Sequence, residues 1–451
     1  MPYNTKSMKP SIPKGTRDFS PEQVAKRTYI FNTIRKTFAR YGFQPIETPT
    51  MENLSTLTGK YGEEGDQLLF KVLNSGDYLR GEKDLTNYKK LTPQISEKGL
   101  RYDLTIPFAR YVVMHQNEIA LPFRRYQIQP VWRGDAPQHG RYREFYQCDA
   151  DIIGSNSLVN EAELVQIYDE AFKNLGVKVI IKLNNRKILQ GLAEVVGSPD
   201  KMMDITIAID KLDKIGESGV KEELATKGIG DEQFEIIKKF FSSTFENLHE
   251  FFVNSEVGRK GIEELQTILK LAGNTEIHNN IEIDLTLARG LNYYTGCIFE
   301  VKVAPELNVK MGSIGGGGRY DDLTGVFGLK GISGVGISFG ADRIYDVLEE
   351  LNLFPPSTAE TTKIMLICFD EVAQNYAFGV AKILRNSGIN TEIYADLAKM
   401  KKQLEYANKR TIPFVAIIGS EEVESGKLTL KNMQTAEQEK LTVTEIVEKL
   451  Q

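Results

Sequence analysis

Two short stretches flanking Leu287–Gly296 alternate apolar and polar residues: Ile281-Glu282-Ile283-Asp284-Leu285 before it and Cys297-Ile298-Phe299-Glu300-Val301 after it. A period of two predicts half-buried strands at both places. Between them, Arg289-Gly290-Leu291-Asn292-Tyr293-Tyr294 sets one cation and two phenols at a strand end or turn, where a rigid sheet tends to carry its ligand-binding groups. Arg124 to Asp151 reads as two more strands joined by a polar loop containing Gly and Pro, an antiparallel hairpin. The helical period governs other regions. Residues 21–40 predict a helix with Ser20 as N-cap and Pro21 in its first turn, ending at Tyr41-Gly42. Residues 160–174 predict another, closed by Leu175-Gly176. From about 186 to 275 the pattern is almost wholly helical and highly charged. Phe354-Pro355-Pro356-Ser357-Thr358 reads as a linker, since two prolines remove donors and stiffen the chain. Beyond it, strands at 363–369, 391–394 and 413–418 alternate with helices around 372–386 and 399–410, an α/β module.

At 451 residues the chain has material for roughly two to four domains. Its 41% hydrophobic and 26% charged residues are those of a soluble globular protein. No apolar run approaches the roughly 20 residues of a membrane helix, and Met1 to Pro10 lacks the apolar stretch of a secretory signal. A cytoplasmic protein without membrane association is expected. Three distant cysteines and four scattered histidines supply neither a disulfide framework nor zinc-ligand spacing, so no structural metal is expected.

Charge is distributed unevenly. Between Pro122 and Gln147 lie five arginines (124, 125, 133, 141, 143) and two acids (Asp135, Glu144), a local +3 in a chain of net −5. Such a concentration predicts an anion site or a nucleic-acid face. Gly315–Gly318 and the Gly334-Val335-Gly336 run are rich in glycine, which by itself predicts close backbone packing or a bulge. No Gly-x-x-x-x-Gly-Lys-Ser/Thr string occurs, and glycines 315–318 fail the Gly-x-Gly-x-x-Gly spacing. A bound nucleotide must therefore be held by arginines, whose planar forks stay charged and match phosphate oxygens.

In order and spacing, these segments resemble the signature motifs of the histidine–tRNA ligase family, class II aminoacyl-tRNA synthetases. Arg289 to Tyr294 resembles the family's histidine-binding signature. Val131-Trp132-Arg133-Gly134-Asp135 through Arg141-Tyr142-Arg143-Glu144-Phe145 resembles motif 2, Gly334 to Arg343 motif 3, and Tyr41-Gly42-Phe43 to Thr48-Pro49 motif 1. Pro13 to Asp18 extends the likeness over nearly the whole chain; only the helical middle is generic. The implied fold is an α+β catalytic core, with an antiparallel class II sheet and flanking helices, a helical insertion, and a C-terminal α/β anticodon-binding domain. Its parts would be a first core segment 1–185, the insertion 186–275, a second core segment 276–351, a linker 352–362 and the anticodon-binding domain 363–451. Helix 399–410, with five basic residues and one acid, could face RNA or simply be a solvated helix face.

The resemblance also implies roles for particular residues. Arg133 and Arg289 would be catalytic, bringing the histidine carboxylate to the α-phosphate of ATP and neutralising the charge that develops there. Arg343 would hold the distal phosphates and Phe145 would stack on adenine, with Asp135, Arg141 and Gly336 also on the nucleotide and Mg2+ accompanying the phosphates. Asp103, Thr105 and Gln147 would accept the histidine ammonium. Asp151 and Tyr294 would bond the imidazole nitrogens, with Tyr293 and Tyr320 lining the pocket. Asp103 stands in Arg101-Tyr102-Asp103-Leu104-Thr105, which replaces the Arg-Pro-Glu-Gly-Thr form of bacterial members, and Asn292 stands where many members have aspartate. The partners implied are L-histidine, ATP, tRNA(His) and a second copy of the chain, since motif 1 builds a homodimer interface in this class. Three alternatives stand beside the ligase: a regulatory paralogue of ATP phosphoribosyltransferase, opposed by residues 363–451; a tRNA-sensing pseudo-synthetase, opposed by Arg133, Arg289 and Arg343; and a class IIa ligase for another amino acid, opposed by the Arg289–Tyr294 signature.

Overall fold

The computed structural model describes residues 9–58, 66–81, 85–288, 294–359 and 362–451. They divide into one unit made of Met1–Asp18 and Arg27–Leu353, and a second made of Phe19–Lys26 and Phe354–Gln451.

Helix α1 spans Pro21–Arg40, and the cap predicted from Ser20 is present: Gln23 N donates to Ser20 Oγ (3.3 Å) and Ser20 N to Gln23 Oε1 (2.8 Å). Ile30, Ile34 and Phe38, four residues apart, form its fully buried stripe. The strands of the first unit follow in chain order as β1 (Gln44–Pro45), β2 (Met51–Asn53), β3 (Lys71–Val72), β4 (Lys98–Leu100), β5 (Phe123–Trp132), β6 (Glu144–Ile153), β7 (Val179–Asn185), β8 (Asn280–Ile283), β9 (Cys297–Val303), β10 (Gly315–Asp321) and β11 (Ser333–Gly340). Eight of them make one sheet in the order β1-β5-β6-β11-β10-β9-β7-β8, antiparallel except at β1/β5 and β7/β8. A small antiparallel sheet, β2-β4-β3, stands apart from it.

The Arg124–Asp151 hairpin is β5 and β6, with Arg125 opposite Asp151 and Trp132 opposite Glu144. β8 ends at Ile283 rather than Leu285, because Asp284 turns its carboxylate onto the Thr286 N–H (3.0 Å) and hydroxyl (2.6 Å) and closes a turn there.

Strand alternation sorts the two faces of the large sheet. On β6, Cys148, Ala150 and Ile152 point down, and on β11, Val335, Ile337 and Phe339 do the same. Helix α2 (Val159–Leu175), capped by the left-handed Gly176, packs beneath them, with Tyr168 and Phe172 at 4.8 and 5.5 Å from the Phe339 ring. The insertion is helical as predicted. Its helices α3 (Arg186–Val195) and α4 (Glu256–Ala272) approach so closely that a Cβ at Gly191 would lie 2.6 Å from Gly258 Cα.

In the second unit, five strands run Thr391–Ile393, Ile364–Cys368, Phe414–Ile418, Lys427–Asn432 and Gln438–Thr442 across the sheet. The first three are parallel and the last two antiparallel. Ile364–Cys368 is buried throughout, as a central parallel strand covered on both faces must be. Helices Glu371–Asn386 and Met400–Lys409 match the predicted pattern; the closing hairpin and helix Val443–Leu450 are additions to it.

Four glycines in one strand are costly unless side chains have no room. On β10, a Cβ at Gly317 would lie 2.2 Å from Gly336 O, and one at Gly318 2.8 Å from the Tyr294 ring. Gly317→Ala should therefore destabilise the first unit by about 2 kcal/mol, the scale of overpacking a tight site. Urea unfolding with an unchanged midpoint would show that the strands can separate freely.

Candidate active site

The upper face of the sheet is a grid read off the strand register. Arg125, Asp151, Gly336 and Gly318 form one row across β5, β6, β11 and β10; Gln127, Asp149, Ser338 and Gly316 form the next; Gln129, Gln147 and Gly340 a third. Directly opposed residues share a face, so polar side chains on β5 and β6 meet mostly glycine on β11 and β10, Ser338 being the exception in these rows. That lack of side chains opens a hollow above the sheet centre.

Two cavities occupy the hollow. The larger, about 460 Å³, is lined by Arg133, Asp135, Arg141, Phe145 and Arg343, with Glu300 and Ser313 on its far wall. The smaller, about 60 Å³, is lined by Asp103, Thr105, Asp149, Asp151, Tyr320 and Gly336. Arg133, Gln147 and Tyr294 border both.

In the smaller pocket, Asp151 is buried and fully engaged. Its Oδ2 lies 2.7 Å from the Arg125 guanidinium and its Oδ1 accepts from the Tyr320 hydroxyl at 2.8 Å. Burial raises the Asp151 carboxyl above its ordinary value, opposed by Arg125 and then by the Tyr320 bond. Arg125 itself has no exposed surface and sits 4.3 Å from the centre of the Phe108 ring. Asp103 precedes the helix Thr105–Met114 and accepts from Ile106 N at 3.2 Å; burial pushes its carboxyl up to about 6 against the pull of Arg133. Gln147 donates to Ser338 Oγ at 3.2 Å.

The larger cavity is held open by cations tied to backbone. Arg133 Nε donates to Tyr102 O (2.9 Å), and its guanidinium lies 5.2 Å from the Phe145 ring centre. Arg343 donates to Gly140 O (2.7 Å) and Ser313 O (2.6 Å), bridging the hairpin loop and the approach to β10. Arg141, half exposed, lies 3.7 Å from Asp135.

The structure revises two readings. The five arginines of the hairpin do not form one anion site: Arg124 pairs with Glu163 (2.6 Å), Arg125 with Asp151, and Arg143 donates to Asp135 O and Lys14 O, leaving Arg133 and Arg141 on the cavity. Alternation along β5 sends the consecutive Arg124 and Arg125 to opposite faces, and the other three lie in the loop between β5 and β6. Gly336 lines the smaller pocket and not the larger, since it stands opposite Asp151, whose Oδ1 would be 1.9 Å from any Cβ there.

Arg289 and Tyr293, like Asn292, lie outside the described residues. The chain on either side of them is tied to the sheet: Asn184 Nδ2 donates to Leu287 O (2.9 Å), and Thr295 N to Arg319 O (2.8 Å). Two site members have no individual role in the sequence reading: Arg125, counted there only within the arginine cluster and brought to the site by its cross-strand register, and Asp149, signalled by its place two residues from both Gln147 and Asp151.

An antiparallel sheet with arginines over one cavity and buried carboxylates under the next has the form of a class II aminoacyl-tRNA synthetase core. A family model described as histidyl-tRNA synthetase matches residues 15–87 and 79–344, and one described as anticodon binding domain matches 363–451. The chain is 60% identical over 447 residues to the histidine–tRNA ligase of Christiangramia forsetii, covering 96% of this chain and 98% of that protein. It is 58% identical over 449 residues to that of Phocaeicola vulgatus, covering 97% and 98%. Among solved structures, a histidyl-tRNA synthetase from a Nostoc species superposes with a TM-score of 0.82 at 30% identity, over 98% of this chain and 99% of that one. The chain belongs to the histidyl-tRNA synthetase family.

Replacing Arg125 by Met would leave Asp151 buried without its cation, a change that costs roughly 3–5 kcal/mol. The loss should deepen with pH. Without Arg125 the folded Asp151 carboxyl rises further above the unfolded value of about 4, so folding takes up a proton and stability falls as pH climbs above that value. Denaturant melts at pH 5 and pH 8 check this; a loss equal at both values would show that Asp151 was neutral beside Arg125.

Proposed function

We propose that the smaller pocket takes histidine and the larger takes ATP, so that this ligase forms histidyl-adenylate at their junction before passing histidine to tRNA(His). Arg133 carries the reading, because it borders both cavities. In the first step the histidine carboxylate attacks the α-phosphorus and pyrophosphate leaves; in the second a terminal ribose hydroxyl of the tRNA attacks the activated carbonyl and AMP leaves. Both anions in the first step must approach each other, and a guanidinium between them offsets their repulsion and the charge gained in the transition state. Arg289 is assigned the opposite side of the α-phosphate. Arg343, Asp135, Arg141 and Phe145 are assigned to the nucleotide.

Asp103, Thr105 and Gln147 are assigned to the substrate ammonium, and Asp151, Tyr293, Tyr294 and Tyr320 to the imidazole end. A site built from buried hydrogen-bonding groups rejects apolar analogues by as much as ~10⁴-fold, since they would leave those groups unpaired. Magnesium would enter the larger cavity with the phosphates and be held chiefly by them and water, facing Asp135 and the buried Glu300, which line the cavity together with Asp342, itself paired with Arg17 and Arg27. When bound, the ion supplies neutralisation of phosphate charge.

The division of labour follows the chain: catalytic segments 1–185 and 276–351, an insertion 186–275, a linker 352–362 and an anticodon-reading module 363–451. A homodimer built on the motif 1 region is part of the reading, supported by the position of β1 at the edge of the large sheet. So is a cytoplasmic location; no described helix is long and apolar enough to cross a membrane.

ATP–pyrophosphate exchange with each amino acid in turn tests the reading: histidine alone should support it, and exchange with none would leave a binding protein. Arg133→Ala should slow adenylate formation by about two to three powers of ten, the effect of losing one pre-organised donor. Near-normal rates would demote Arg133 to a structural tie to Tyr102. Sedimentation showing only monomer at micromolar concentration would remove the dimer.

A further inference from the structure

The assignments above leave one carboxyl on the pocket floor without a task. Asp149 stands on β6 midway between Gln147 and Asp151 and lines the smaller pocket with both. It is 3% exposed, and among the described residues its Oδ1 has no hydrogen-bond partner. Ser338, opposite it on β11, bonds the carboxyl and also accepts from Gln147. An acceptor buried this deeply without a donor is a standing cost that an arriving donor removes.

The surrounding charges say what kind of donor. Arg125 on β5 faces Asp149, but is already spent on Asp151. Asp151 on the same strand and Asp103, ahead of the helix Thr105–Met114, add like charge. Below the sheet, Cys148 and, on α2, Tyr168 are neutral groups whose own ionisation the Asp149 charge opposes. Arg101 is tied to Thr48 O, Pro130 O and Gln129 Oε1. Arg133 stands at the rim and Tyr320 across the pocket. Burial, with Asp151 and Asp103 adding to it and Arg125 opposing, pushes Asp149 up to about 7. Three carboxyls around one buried guanidinium make a pocket short of positive charge.

We infer that Asp149 is a further substrate-recognition residue, whose open carboxylate oxygen accepts a hydrogen bond from the histidine α-ammonium and whose proton passes to solvent as that cation enters. The inference rests on the reading of the smaller pocket as the histidine site. It adds to that reading a coupling: histidine binding releases a proton near neutral pH and tightens as pH rises toward 8. The sign follows from the free carboxyl being partly protonated at pH 7 and ionised beside the bound cation.

Titration calorimetry of the full chain with histidine, in two buffers of different ionisation enthalpy, counts the protons directly. Compared with wild type, Asp149→Asn should release about half a proton less at pH 7, nearly one less at pH 6, and the same number at pH 8.5, as a carboxyl titrating near 7 requires. The KM for histidine in pyrophosphate exchange should rise about tenfold or more, with a smaller change in kcat, the scale of a lost bond to a charged group. Equal proton counts in the two proteins at pH 6 overturn the inference while leaving the pocket reading intact. Wild-type protein that takes up no histidine overturns both. Should Asp149→Asn fail to fold, the wild type decides alone: histidine binding at pH 7 with no proton released also overturns it.

Discussion

Asp151 is clamped between Arg125 and Tyr320 directly opposite a strand position where a Cβ would stand 1.9 Å from its Oδ1. The rest of the site depends on that contact. A carboxylate this deep needs a cation and hydrogen bonds to remain there, so β5 must put Arg125 in register with it and β10 must put Tyr320 over it. The same contact requires Gly336 on β11, and the bare backbone of Gly316 and Gly318 beyond continues the opening. The pocket therefore lies where polar side chains of β5 and β6 face strands that are mostly glycine along these rows, with Tyr320 and Ser338 the side chains those strands supply.

From that floor, polarity changes outward in a way that suits two joined anion-and-cation tasks. The deep end is acidic, with Asp103, Asp149 and Asp151 around Arg125; the outer cavity is basic, with Arg133, Arg141 and Arg343. A zwitterion entering with its ammonium inward presents its carboxylate toward the arginines, where a nucleotide's phosphates would also lie. Orientation then follows from the field before any single bond is made. The arginines reach this position because Arg133 and Arg343 donate to backbone carbonyls that fix their stems, Tyr102 O on one side and Gly140 O and Ser313 O on the other.

Local patterns were legible in the chain and register was not. The helices at 21–40 and 160–174 could be read because capping and a four-residue apolar stripe are local, and the β5/β6 hairpin because alternation is local too. The motif residues Arg133, Phe145, Asp151, Tyr320 and Arg343 are placed by resemblance, and the structure gathers them around one hollow. Arg125 could not be distinguished from Arg124 as a site residue, since only pairing with β6 decides which of two adjacent arginines meets Asp151. Gly336 was assigned to the nucleotide for the same reason: a glycine's neighbours across a sheet are non-local. The closing hairpin of the second unit is only half legible: Lys427–Asn432 alternates, burying Leu428 and Leu430, but its partner Gln438–Thr442 carries no alternating apolar pattern. Arg289, the residue with the clearest sequence signal, lies in the segment outside the described residues.

A crystal structure of the protein with histidine and a non-hydrolysable ATP analogue tests the central claim most directly. The account predicts the imidazole over the row Arg125–Asp151–Gly336, the ammonium against Asp103, Gln147 and Asp149, and the triphosphate between Arg133 and Arg343. Histidine bound outside that pocket, or a triphosphate held without either arginine, would contradict it.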